Sequence, residues 1–262
     1  LEVSELFDLS GKVALITGGA GIVGRAISEG LAEAGAEVII ASRRLERCQE
    51  LAEGLTRRGL SATALRLDLA DAASVEGLKA EVMARWERLD ILVNNAVARV
   101  SGARGFEEMS LDVWRRVLEV DGVGLFHICR ALIPEMARQG GGAVINISSI
   151  YGLVAPDFRI YEGNEQLRSP ASYGFIKGGM NMLTRYLATY YASKGVRVNA
   201  IALGGVYSGQ PPSFVAKYCE RCPMGRMASK DDIKGVVVFL ASEAARYITG
   251  QVIPVDGGWT VW

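Results

Sequence analysis

Tyr173-Gly174-Phe175-Ile176-Lys177 places a phenol and an ammonium four positions apart, a spacing that puts both on one helix face. A free tyrosine ionises near pH 10. A neighbouring cation favours the phenolate and brings proton transfer toward neutral pH. Upstream, Asn146-Ile147-Ser148-Ser149 ends in hydroxyls able to hydrogen-bond a substrate oxygen. Together these groups suit acid–base chemistry at an oxygen.

A second constellation suits phosphate. The apolar run Lys12–Thr17 leads directly into Gly18-Gly19-Ala20-Gly21-Ile22-Val23-Gly24, and helical spacing follows. Glycines allow a tight turn and close approach of the backbone to a pyrophosphate. The helix start adds amide donors and its positive dipole end. That pattern after a first strand points to a dinucleotide. The next apolar run, Glu37–Ser42, ends in Ser42-Arg43-Arg44, with no acidic residue to grip the ribose hydroxyls of NAD. Two guanidinium groups suit a 2′-phosphate, which favours NADP over NAD.

The elements that must carry these groups are legible as alternating short and long segments. Apolar strands are expected at Lys12–Thr17, Glu37–Ser42, Ala62–Leu67, Leu89–Asn94, Ala143–Ser148, Val196–Ala202 and Gln251–Val255. Helical patterns separate them, including Leu45–Arg58, Ala72–Arg88, Leu111–Arg138, Ser172–Lys194 and Asp231–Ser242. Pro134 is expected to bend or reset the long 111–138 stretch. Tyr151–Pro170 and Gly204–Lys230 read as irregular. The alternation predicts one α/β domain over residues 1–262, a doubly wound Rossmann fold with a parallel sheet of about seven strands covered by helices on both faces.

These motifs, in this order, resemble the short-chain dehydrogenase/reductase family in its single-domain form. The resemblance covers nearly the whole chain. Besides the glycine turn and Tyr173…Lys177, it rests on Asp68-Leu69, Asn94-Asn95-Ala96, Asn146–Ser149, Arg197-Val198-Asn199-Ala200 and Val255-Asp256-Gly257-Gly258. It implies hydride transfer between a nicotinamide and a carbonyl/alcohol pair. Tyr173 would be the acid/base and Ser149 would orient the substrate oxygen. Lys177 would hold the nicotinamide ribose and lower the Tyr173 pKa. Asp68 and Leu69 would lie by the adenine, and Asn94, Asn95 and Ala96 along the adenosine ribose. Further cofactor contacts are implied at Gly204 and Val206. A homotetramer or homodimer is also implied, packed through the 111–138 and 172–194 helices, with Leu187 and Tyr190 near the contact.

The chain departs from the family pattern at three places. The middle glycine of the turn falls at Ile22, the helical asparagine of the proton relay at Asp121, and the Pro-Gly after strand six at Leu203-Gly204. An ionised aspartate only accepts, whereas asparagine also donates. These changes keep a second reading open, a non-catalytic dinucleotide-binding sensor or scaffold of the same fold. Twenty-four positions separate Ser149 from Tyr173, more than the family usually has. The extra segment, Ala155 through Pro170, carries Asp157, Arg159, Tyr161, Glu162, Glu165 and Arg168, a set suited to a polar, hydroxylated ligand. Its Tyr-Glu-Gly and Ser-Pro also look loosely like a branch linked to bacterial surface-sugar and sialic-acid-like glycan synthesis.

Composition narrows the rest. The 262 residues are 50% apolar, enough for a core, and 29 basic residues balance 29 acidic ones. No charge excess is available for nucleic acid or an anionic membrane. No run nears the roughly 20 apolar residues of a membrane helix, and Leu1–Lys12 lacks the apolar stretch of a signal peptide. Cys48, Cys129, Cys219 and Cys222 are too few for a disulfide scaffold, consistent with a cytoplasmic location. Cys219 and Cys222 read as exposed loop thiols rather than metal ligands. His127, the only histidine, reads as a helix-packing residue.

Overall fold

The computed structural model describes residues 2–98 and 105–262. After a short turn of helix α1 (Val3–Leu6), the chain alternates β1 (Val13–Thr17), α2 (Ile22–Glu33), β2 (Glu37–Ser42), α3 (Leu45–Arg57), β3 (Ala62–Arg66), α4 (Ala72–Trp86) and β4 (Ile91–Asn94). The second half runs α5 (Leu111–Val117), α6 (Leu125–Arg138), β5 (Gly142–Ser149), α7 (Ala171–Tyr191), β6 (Val196–Leu203), α8 (Pro212–Arg221), α9 (Asp231–Ala241) and β7 (Val252–Val255). The seven strands form one parallel sheet in the order β3-β2-β1-β4-β5-β6-β7, the doubly wound fold expected.

Strand alternation sends successive residues to opposite faces. Ala14, Ile16, Val38 and Ile40 join Ile27, Leu31, Val237 and Leu240 on one face. Val13, Leu15, Ile39 and Ala41 join Leu78, Ile128, Leu132 and Met180 on the other. Both faces are covered, which is why the strands read as unbroken apolar runs. Strand order reverses between β1 and β4, so a crevice opens beyond their C-terminal ends. Thr17 closes the floor of that crevice. Its Oγ1 accepts from the amides of Asn95 (3.0 Å) and Ala96 (3.1 Å) and donates to the Val93 carbonyl.

Below the crevice, a chain of buried side chains ties three elements together. Asn94 Nδ2 donates to Asn146 Oδ1 at 2.8 Å, and Asn146 Nδ2 donates to Thr184 Oγ1 at 2.8 Å. The Thr184 hydroxyl in turn donates to the Met180 carbonyl at 2.8 Å. β4, β5 and α7 are thereby locked in register. Tyr173 and Lys177 are on α7.

Two elements differ from expectation. The 111–138 stretch changes not at Pro134 but at a π-helical turn, Leu118–Gly124. Pro134 lies inside α6. The carbonyl it releases belongs to Arg130, an exposed residue, so solvent can replace the missing donor. The segment expected to be irregular after β6 contains α8, which begins at Pro212. A proline at the first helical position is pre-set for helix and loses no bond there. The 151–170 segment is irregular as expected, with three short 3-10 turns. Among the described residues, no helix is long and apolar enough to cross a membrane.

Asn146→Ala would take one buried hydrogen bond from each of two partners, Asn94 and Thr184. The expected loss of stability is about 1–3 kcal/mol, read as a lowered urea midpoint with an unchanged slope. An unchanged midpoint would show that the chain contributes nothing to holding α7.

Candidate active site

The crevice is a cavity of about 460 Å³, and both constellations read from the sequence line it. At one end lie Gly18, Gly21, Ile22, Val23 and Gly24, together with Ser42, Arg43 and Arg44. At the other lie Ser149, Tyr173 and Lys177. Asp68, Leu69, Asn95 and Ala96 line the stretch between, and Gly204 and Val206 close one side.

The turn is built by sterics. Gly18 has φ +63°, in the left-handed region, and a Cβ on it would meet Ala96 Cα at 2.9 Å. A Cβ on Gly24 would strike the Gly18 carbonyl oxygen. Gly21 caps α2 in extended conformation, with Ile22 as the first helical residue. The first-turn amides of α2 have no intrahelical acceptors and face the crevice. Asn95 Nδ2 bridges the Thr17 and Gly18 carbonyls, both at 3.0 Å, and ties the turn to the end of β4. Arg47, one turn along α3, joins Arg43 and Arg44 at the same end. Its position, three beyond Arg44, was a readable signal that sequence reasoning passed over. A bare glycine turn beside three guanidinium groups fits a dinucleotide with an added phosphate on its ribose.

At the other end, Lys177 is buried, and its Nζ donates to the Ile147 carbonyl at 2.6 Å. Burial pulls the ammonium down to about 8, against the pull of the Asp121 carboxylate. Lys177 Nζ stands 5.5 Å from the centre of the Tyr173 ring. Burial pushes the Tyr173 phenol above its ordinary value. The Ser149 hydroxyl opposes that rise, and the Asp121 carboxylate adds to it. Lys177 was expected to bring the phenol down; burial is the largest influence on Tyr173, and the Lys177 ammonium is turned onto the Ile147 carbonyl. Ser149 Oγ also accepts from the Tyr151 amide at 3.2 Å.

Several sequence-selected residues lie elsewhere. The Asn94 side chain points into the buried chain with Asn146, not into the cavity. Gly19 packs against Ile40 and the β1 backbone, which leaves no room for a Cβ. Asp121 is buried in the π-turn, where its Oδ1 accepts from the Ala98 amide at 2.6 Å, and Val120 lines the cavity instead. Burial raises the Asp121 pKa. The charges of the extra segment pair with one another and with α8 rather than facing the cavity. Asp157 holds Arg159 at 2.6 Å, Glu162 meets Lys217 at 3.2 Å, and Glu165 meets Arg168 at 4.0 Å. Only Tyr161 of that segment lines the cavity, joined by Tyr151, Phe214 and Tyr218. Cys222 is buried under Trp259 and Tyr218, not an exposed thiol. His127 lies 2.9 Å from Glu76.

Comparison with known proteins places the chain. Residues 18–260 match the sequence model of the family described as Enoyl-(Acyl carrier protein) reductase. A 2,5-dichloro-2,5-cyclohexadiene-1,4-diol dehydrogenase of Sphingobium indicum is 36% identical over 257 residues, covering 97% of this chain and 98% of the relative. A D-threitol dehydrogenase of Mycolicibacterium smegmatis is 36% identical, covering 100% of this chain and 97% of the relative. The crystal structure of a gluconate 5-dehydrogenase from Burkholderia cenocepacia, in complex with NADP and tartrate, superposes with TM-score 0.88 at 31% identity, covering 100% of each chain. With a glycine turn at one end of the crevice and Ser149, Tyr173 and Lys177 at the other, the chain belongs to the short-chain dehydrogenase/reductase family, the NAD(P)-dependent oxidoreductases of alcohols and carbonyls.

Proposed function

We propose that the chain interconverts a secondary alcohol and its ketone on a polyhydroxylated or cyclic substrate, with NADP as the preferred cofactor. The observation that carries this reading is the single cavity lined by Arg43, Arg44 and Arg47 at one end and by Ser149, Tyr173 and Lys177 at the other. When bound, the nicotinamide would give or take the hydride. Gly18, Gly21, Ile22, Val23 and Gly24 would hold the pyrophosphate. Ser42 and the arginines would hold the ribose phosphate. Asp68, Leu69, Asn95, Ala96, Gly204 and Val206 would line its remaining length. In this reading Ser149 holds the substrate oxygen, and the Tyr173 phenol gives a proton to it or takes one from it. Lys177 secures the ribose and supports the phenolate. Asp121 acts through Lys177 and Tyr173 by its charge. The sensor or scaffold reading loses ground, because the relatives at 36% identity are dehydrogenases and all three reactive groups share the cavity.

The whole chain, 1–262, is proposed to work as one unit in the cytoplasm, where its four free cysteines would stay reduced. Its proposed assembly is a homotetramer or homodimer. Exposed Val123 and Phe126 on the π-turn and α6, and Met182, Tyr186 and Tyr190 on α7, offer apolar surface for the contact. Leu187 packs on the core instead. Light scattering at micromolar concentration should return a multiple of 28.1 kDa, and a monomer mass would refute the assembly.

Tyr173→Phe should lower turnover by about 10²–10⁴-fold with dinucleotide affinity nearly unchanged. Asp121 pushes the phenol up, so Asp121→Asn removes that push. Alcohol oxidation uses the phenolate, and its rate climbs as pH rises through the Tyr173 pKa. The rising limb should therefore move to lower pH in Asp121→Asn. A limb that stays in place would mean that Asp121 does not act on the phenol.

NADPH should bind more tightly than NADH. Arg43→Ala should narrow the gap by about 1.5–3 kcal/mol, one charge-assisted contact. Equal affinities in the unaltered protein would reject the assignment of the arginines.

A further inference from the structure

Of the extra segment before α7, one side chain reaches the cavity. Tyr161 is 4% exposed, and its hydroxyl lies 2.6 Å from that of Tyr151. The Tyr161 ring is held against Phe214, centroids 5.5 Å apart, and Phe214 lies against Tyr218 at 6.3 Å. Tyr218 stacks on Trp259 at 4.4 Å, and its hydroxyl accepts from the Gly205 amide at 2.6 Å. Ile150, Tyr161, Phe214, Tyr218, Met227 and Trp259 bury one another in a core separate from those beneath the sheet. The phenol pair is thus fixed on a packed wall that joins the extra segment to α8.

Two phenols bring two protons, and the bond between them uses one, whichever oxygen donates. The second proton has no acceptor among the described residues. Tyr151, Tyr161 and Tyr173 all line the same cavity. The wall therefore offers a fixed, neutral donor beside the proposed proton-transfer group, in surroundings that are otherwise largely aromatic and aliphatic.

We propose that the Tyr151–Tyr161 phenol pair determines substrate choice by donating a hydrogen bond to a second oxygen of the substrate, so that diols and hydroxyketones are taken over simple alcohols and ketones. This rests on the alcohol/ketone reading above and adds the substrate feature that the cavity reads. A substrate without the second oxygen leaves the phenol proton buried and unpaired, a difference worth about tenfold to a hundredfold in affinity.

The test compares cyclohexanol with 1,2-cyclohexanediol, a pair differing by one hydroxyl. Calorimetry on the NADPH-bound protein, in which an alcohol cannot be oxidised, gives both dissociation constants without turnover, and kcat/KM for each alcohol is measured with NADP alongside. The unaltered protein should bind the diol at least about tenfold more tightly. The double variant Tyr151→Phe/Tyr161→Phe, which keeps both rings and removes both phenol protons, should remove most of that ratio, through KM more than kcat. A role in packing alone would weaken both ligands alike and leave the ratio intact, which would overturn the proposal. Equal affinities in the unaltered protein would also overturn it. Diol-selective binding lost in the double variant, with neither alcohol turned over, would uphold the phenol pair and reject the assigned reaction.

Discussion

The buried chain from Asn94 through Asn146 to Thr184 fixes where α7 sits on the sheet. Parallel strands give each other register through backbone bonds, but a helix packed on a sheet by apolar side chains alone can slide. Three polar side chains with no access to water remove that freedom, because a shift would leave amide and hydroxyl groups unpaired in the core. Tyr173 and Lys177 stand on the first turns of the same helix. Their distance from Ser149, at the end of β5, is set by this chain more than by any contact inside the cavity.

Desolvation is the second consequence of that placement. Lys177 is carried under the cavity wall, where its ammonium finds the Ile147 carbonyl and the field of Asp121. The same burial raises the Tyr173 phenol. The site therefore holds an acid that keeps its proton readily and a cation that gives its proton up more readily than in water. Asp121 is the one carboxylate acting on both among the described residues, and the π-turn is what turns it inward onto the Ala98 amide. Such turns recur at functional sites because the extra residue re-aims a side chain.

Much of this was legible before any coordinates. The strand pattern, the glycine turn, the arginines after β2 and the Ser149–Tyr173–Lys177 set depend on local periodicity and short spacing, which a sequence displays. Asn94 was misplaced because position after a strand does not reveal which way a side chain points. Its amide goes down to Asn146, while its neighbour Asn95 reaches the turn. The charges at Asp157, Arg159 and Glu162 looked like ligand-binding groups, yet they pair locally and with Lys217 of α8, an element that read as loop. The tyrosines at 151, 161 and 218 escaped notice as a group because long-range packing alone brings them together. Pro134 misled for the opposite reason. A strong local signal was overridden by a helix whose freed carbonyl faces outward.

The central claim is that this cavity moves a hydride between a nicotinamide and a carbinol carbon, with Tyr173 handling the proton. The most direct measurement uses 1,2-cyclohexanediol deuterated at its carbinol carbons, incubated with NADP and followed by mass spectrometry of the dinucleotide. The account predicts deuterium in the reduced dinucleotide with the unaltered protein and almost none with Tyr173→Phe. Reduced dinucleotide without label, or equal labelling by Tyr173→Phe, would contradict it.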